Sequence, residues 1–207
     1  MKPESPDTSR FFNRIAVKGW HNSPFFTYTW KYPALRHWLK AQLLPNEKRI
    51  LSIGCGSGEI ERDLNKSGLE VVGLDTSHEM LRKAAARGLQ NLVLSDARHL
   101  PFTKASFDLV MFLESVGYVD LEKVLPEVKR VLNKSGRVMI TFYPPHHGSD
   151  SFCHKVSLPQ LAGELRKGGL HLVSQQMLAV KRNGVIQVES EDRSVLLYAL
   201  AQKQRVR

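Results

Sequence analysis

Between residues 49 and 59 an apolar run, Arg49 to Ile53, breaks into Gly54-Cys55-Gly56-Ser57-Gly58 and resumes at once with Glu59, Ile60 and Leu64 at helical spacing. A strand handed to a helix through three alternate glycines constrains this chain more than any other feature. Glycine accepts positive φ and lets another group approach backbone that a Cβ would cover, while the start of the helix offers free N–H groups to an anion. The same alternation of periods continues downstream: Leu69 to Leu74 as a strand, Glu79 to Arg87 as a helix, Leu92 to Leu94 and Phe107 to Phe112 as strands. Leu121 to Leu132 then reads as an amphipathic helix with Val124, Leu125, Val128, Val131 and Leu132 on one face, released by Gly136 into a strand at Val138 to Tyr143. Strands apolar throughout, alternating with helices, predict a parallel sheet covered on both faces. Beyond Pro144 a helix at Leu158 to Lys167 and strands at Leu170 to Met177 and Val195 to Ala201 are expected.

With 207 residues, the chain has room for one domain and a small appendage. No apolar run approaches the length of a membrane-spanning helix, the polar segment Met1 to Arg10 lacks the core of a secretory signal, and two cysteines make no disulfide framework. A reducing cytoplasm is the expected location. The net charge of +10 is unevenly placed: the surplus comes from residues 1–49 and 144–207, and residues 50–143 are neutral. Such ends attract phosphates, acidic lipids or anionic substrates, and are equally what a partnerless soluble surface shows. Neither end holds a dense basic run, so nucleic acid is not the favoured partner.

The glycine turn gains weight from two carboxylates. Asp75 closes the second strand in Val71-Val72-Gly73-Leu74-Asp75, where an acid can accept from both hydroxyls of a ribose or, alternatively, cap the helix starting near Ser77. Asp96 closes the third strand, placed to accept from an adenine amino group. Three binding features at three successive strand ends point to a nucleoside site.

The segments Leu51 to Gly58, Gly73 to Met80 (G-L-D-T-S-H-E-M), Ser95 to Phe102 (S-D-A-R-H-L-P-F), Ser106 to Leu113 (S-F-D-L-V-M-F-L) and Leu125 to Met139 (L-P-E-V-K-R-V-L-N-K-S-G-R-V-M) together resemble class I S-adenosylmethionine-dependent methyltransferases. The similarity is strongest to the small-molecule group that includes the ubiquinone and menaquinone biosynthesis enzymes. The resemblance implies a Rossmann-like α/β fold: a seven-stranded sheet, mostly parallel, with helices on both faces and an antiparallel last strand inserted between the fifth and sixth. Residues 48–207 would form the S-adenosylmethionine-binding domain and residues 1–47 an aromatic-rich helical cap or lid. It further implies that the cofactor is S-adenosylmethionine, its methionine part held by Ile53, Gly54, Cys55 and Gly56. Asp75 would take the ribose, Thr76 and Met80 the adenine face, Asp96 and the Ala97 N–H the adenine edge, and Leu113 would lie near the sulfonium.

The acceptor side is less determined. Glu114 and Tyr118, just past the fourth strand, are positioned to meet an acceptor, although Glu114 also reads as a capping or solvated acid. His146 and His147 follow the fifth strand at the same sheet edge, and a histidine near its reference pKa can remove a phenolic or amine proton. Three His, an Asp and a Cys between residues 146 and 154 lack a recognisable ligand spacing, so no metal is expected. Nine of the seventeen aromatic residues fall between Phe11 and Trp38. Trp20, Phe25, Phe26, Tyr28, Trp30 and Tyr32 read either as a cover over the acceptor or as packing for a helix at Pro33 to Leu44.

A nicotinamide-linked dehydrogenase is disfavoured: its fingerprint wants glycine where Glu59 stands, and no tyrosine here is followed four residues later by lysine. The expectation is methyl transfer to an aromatic or amphipathic small-molecule acceptor. An RNA- or protein-directed methyltransferase, or a methyltransferase-like binding protein without turnover, remains the alternative.

Overall fold

The computed structural model describes residues 7–19, 32–143, 156–181, 184–188 and 195–203. Its helices are α1 (Thr8–Gly19), α2 (Tyr32–Gln42), α3 (Glu59–Asn65), α4 (His78–Ala86), α5 (Leu121–Val131) and α6 (Leu158–Lys167), with a 3-10 turn at Val116–Tyr118. The strands are β1 (Arg49–Ile53), β2 (Glu70–Asp75), β3 (Leu92–Leu94), β4 (Phe107–Leu113), β5 (Leu132–Phe142), β6 (Leu170–Lys181), β7 (Gly184–Val188) and β8 (Val195–Lys203). They form one sheet in the order β3-β2-β1-β4-β5-β8-β6-β7. β1 to β5 pair in parallel, and β8 runs antiparallel between β5 and β6.

The expected seven-stranded arrangement is therefore present, with Val195–Lys203 as the inserted antiparallel strand. An eighth strand, β7, extends it as a hairpin partner of β6 at the edge. Its five residues, Gly-Val-Ile-Gln-Val, are rich in β-branched side chains but too few to establish a period, and β6 supplies the pairing that makes them a strand. β5 also begins earlier than Gly136 suggests: Phe107 pairs with Leu132 and Leu109 with Arg137, so the intervening residues of β5 bulge. A Cβ on Gly136 would stand 2.8 Å from the Leu132 side chain, which explains the glycine at that bulge.

Strand alternation sorts the core into two layers. Leu51, Ile53, Val110, Phe112, Val138 and Ile140 face α5 and α6, which contribute Val124, Leu125, Val128, Leu161 and Leu165. Ile50, Leu109, Met111 and Met139 point the other way, onto Leu35 and Leu39 of α2 and Ile60 and Leu64 of α3. Trp38 of α2 meets Tyr198 of β8 edge to face with ring centroids 4.8 Å apart, so this part of the aromatic-rich segment packs on the sheet. α1 lies elsewhere, against α4, where Ala16 and Met80 are buried together with Phe12 and Ile15 beside them.

One ion pair ties the entry into β1 to the far side of β4. Arg137 of β5 donates through Nε and Nη2 to Glu47 at 2.6 and 2.7 Å and reaches the Gln42 carbonyl at 2.8 Å. Both side chains are nearly buried, at 11% and 3% exposure. Removing one partner of such a pair leaves a buried charge without compensation. Glu47→Ala is therefore expected to lower the unfolding free energy by about 3 kcal/mol, read as a reduced midpoint in urea at unchanged slope.

Candidate functional site

β2 and β3 lie to one side of β1, and β4 and β5 to the other, so the chain reverses its direction of travel across the sheet between β1 and β4. Ligands of open α/β sheets bind in the crevice that opens at the carboxyl ends of such a pair. The loop 54–58 stands there. Gly54 takes φ +71° and its N–H donates to the Leu74 carbonyl at 2.8 Å, joined by the Cys55 N–H at 3.1 Å. A Cβ on Gly54 would come within 2.6 Å of the Ser115 Cβ, while Ser115 Oγ donates to the Ile53 carbonyl at 2.5 Å. The turn after β4 is thus pressed onto the end of β1, where Ile53 is itself buried. Gly56, at φ +53°, is different: a Cβ there would meet nothing within 4 Å, so its backbone faces open space.

Asp75 holds this loop in shape. Its Oδ2 accepts from the Gly56 N–H and its Oδ1 from the Ser77 N–H, both at 2.8 Å. Burial pushes its carboxyl up, while the Ser77, Gly56 and Thr76 amides pull it down less strongly. A carboxylate offers about four acceptor directions, so with the Gly56, Ser77 and Thr76 amides on it Asp75 keeps capacity for a ribose hydroxyl. Ser77 caps α4 by accepting from the Met80 N–H at 3.2 Å, as the sequence suggests.

Of the residues expected along an adenine, Met80 and Asp96 each have a partner that the sequence does not announce. Met80 is 1% exposed and its side chain is covered by Phe12, Ile15 and Ala16 of α1. Asn13 of the same helix accepts from Ser77 Oγ at 2.7 Å and from the Glu79 N–H at 3.1 Å, so α1 is fastened to the start of α4. Asp96 follows β3 with a half-exposed carboxylate gripped by Arg98, whose Nη2 and Nε donate at 2.7 and 3.0 Å. The Arg98 guanidinium holds the Asp96 carboxyl below its usual range. Ala97 beside it is buried, and Thr76 is half-buried at the turn after β2.

On the β4 side, Leu113 is half-buried and packs against the core layer that holds Leu35, Leu39 and Met111. Glu114 adopts φ +57°, its N–H donating to the Thr141 carbonyl at 2.8 Å, so its backbone is held against β5. Tyr118 ends the 3-10 turn with its ring 5.2 Å from that of Phe12, edge to face. α1 therefore touches both the α4 side and the Glu114–Tyr118 side of the crevice. Tyr32 opens α2, its hydroxyl pushed well up by burial and by the nearby Glu114, Glu61 and Glu59 carboxylates. His146, His147 and the aromatic residues 20–30 lie outside the described residues.

Sequence reasoning passed over Glu61. It sits in the first turn of α3, 3% exposed, with Ser52 Oγ of β1 donating to it at 2.7 Å. Burial raises its carboxyl from 4.5 to about 7, against the Ser52 hydrogen bond that lowers it. Its position three residues past Gly58, on the face shared by Ile60 and Leu64, was the available signal. Cys55 is also buried, its thiol pushed up by burial and by Glu61 and Asp75, so it rests as a neutral thiol.

A family profile described as a methyltransferase domain matches residues 51–140. A demethylmenaquinone methyltransferase of Thermus thermophilus is 40% identical over 129 residues, 56% of this chain and 59% of the relative. A second of that name, from Thermotoga maritima, is 30% identical over 142 residues, 66% and 62% of the two chains. This chain thus spans about three fifths of the length of these relatives. The crystal structure of an S-adenosylmethionine-dependent methyltransferase from Thermotoga maritima superposes with a TM-score of 0.75 at 20% identity, covering 94% of this chain and 99% of that one, which establishes the shared fold.

Because the Glu61 carboxyl rises from 4.5 unfolded to about 7 folded, native protein holds a proton that unfolded chain has lost between those values. Its contribution is present in full below pH 4.5 and is lost as pH rises through about 7. Glu61→Gln keeps an acceptor for Ser52 without that charge. The variant is expected to match the parent near pH 4 and to exceed it by up to about 3 kcal/mol at pH 8, measured by urea unfolding at both values.

Proposed function

We propose, from the premise that residues 51–140 are a class I S-adenosylmethionine-dependent methyltransferase domain, that this chain methylates an aromatic or amphipathic small molecule of the demethylated-quinone class. The observation that carries the reading is the Asp75 lock on the glycine loop, which leaves the Gly56 backbone open beside a carboxylate with spare acceptor capacity. The names of the two sequence relatives support the acceptor class.

Bound S-adenosylmethionine supplies a methyl group already activated by a positive sulfur. What the chain contributes is alignment and exclusion of water. Ile53, Gly54, Cys55 and Gly56 line the methionine end, Asp75 accepts from the ribose, and Thr76, Asp96 and Ala97 border the adenine. Met80 acts from behind, since α1 covers its side chain and so supports the wall rather than forming it. Leu113 closes the floor near the sulfur. Glu114 and Tyr118 flank the acceptor, with the residues 1–47, α1 foremost, as its cover. Where the acceptor must lose a proton, His146, His147 or Glu114 takes it.

Asp75→Ala is expected to weaken S-adenosylmethionine binding by roughly a hundredfold, because it removes hydrogen bonds to a charged group and releases the loop. Asp96→Ala should cost less, its carboxylate being half-exposed and already neutralised by Arg98. Calorimetric titration of both variants checks the order, and equal small losses would defeat the assignment.

Incubation with a demethylated quinol and S-adenosylmethionine should yield a product heavier by one methylene by mass spectrometry. If a histidine base is used, turnover rises with pH near 6.5, and His146→Ala or His147→Ala removes that limb. Binding without turnover on any quinol would favour the non-catalytic alternative.

A further inference from the structure

We propose that Glu61 is the specificity-determining counter-charge beneath the cofactor's sulfur, by which the site prefers the positively charged methyl donor over the neutral-sulfur product. The inference rests on the functional reading above.

Three observations place Glu61 for this task. It lies in the first turn after the glycine loop, buried to 3% exposure, with a hydroxyl, Ser52 Oγ, as its side-chain partner at 2.7 Å. Its field reaches both sides of the crevice: it acts on the Cys55 thiol in the loop and on the Tyr32 hydroxyl at the start of α2. Finally, among the described residues no cation pairs with it. The charge acting on it is Glu59 of its own helix, while Asp75 shares with it the field on Cys55 and Glu114 the field on Tyr32. Among the described residues the neighbouring basic groups are committed elsewhere, Arg87 to Glu59 and Arg36 to Asp63.

A buried carboxylate without a cationic partner is costly, and sequences keep one where something supplies the charge. The methyl donor carries one more positive charge than the demethylated product, whereas the amino and carboxylate groups of the methionine end are common to both. An ionised Glu61 therefore attracts the donor more than the product. Since its carboxyl titrates near 7, arrival of a cation favours the ionised form and expels a proton, whereas the product does so far less. Tyr32 and Cys55 titrate well above this range. The predicted result is a preference for donor over product that strengthens as pH rises through about 7.

The test is isothermal titration of the purified chain with S-adenosylmethionine and, separately, S-adenosylhomocysteine at pH 6, 7 and 8, in buffers of differing ionisation enthalpy to count protons. The product-to-donor ratio of dissociation constants should grow roughly tenfold between pH 6 and 8, with a proton released on donor binding and little on product binding. In Glu61→Gln the ratio should be flat and the difference in proton count should vanish, which loss of a merely structural hydrogen bond would not produce. Equal proton counts for the two ligands in the parent chain, or an unchanged slope in the variant, would overturn the proposal while leaving cofactor binding intact. Should the variant not fold, the parent's two proton counts decide alone. If neither ligand binds, the functional reading itself falls, and this inference with it.

Discussion

The site depends on one carboxylate. Asp75 accepts the Gly56 N–H with one oxygen and the Ser77 N–H with the other, both at 2.8 Å, and so joins the turn after β1 to the turn after β2. Without that join the glycine loop would have the conformational freedom its composition invites. With it, the loop has one shape, and the start of α4 is placed beside it. The Leu74 carbonyl, receiving the Gly54 and Cys55 N–H groups, repeats the link one residue earlier.

The second constraint comes from the opposite wall. Ser115 presses against Gly54 and bonds to the Ile53 carbonyl, so the turns after β1 and β4 are a single packed unit. The positive φ of Glu114 is the cost of that packing, offset by its N–H bond to Thr141 on β5. Glu114 is consequently held by four strands' worth of context, since β2, β1, β4 and β5 each fix a neighbour of the crevice.

α1 closes the arrangement from outside the sheet. Asn13 completes the cap of α4, and Phe12 lies against Tyr118, so one short helix contacts the walls proposed for adenine and for acceptor. It also explains why Met80, although at the expected position, is buried under Ile15 and Ala16.

The inserted antiparallel strand was expected from the family resemblance; the strand and helix succession from Arg49 to Tyr143 and the parallel sheet were legible in the amino acids alone. Local physics decides these: apolar period, glycine turns and Ser caps each act within a few residues. The positions of Gly54, Gly56, Asp75 and Asp96 were legible for the same reason, each falling at the end of a readable strand. The edge strand β7, the bulge before Arg137 and the helix α1 against α4 were decided only by pairing and packing with distant segments. So was the partnership of each acid. Nothing in the letters distinguishes Asp75 locked to backbone amides, Asp96 gripped by Arg98 and Glu61 buried against Ser52. Charge and burial of a side chain depend on what the fold brings within a few ångströms of it, and that information is not local.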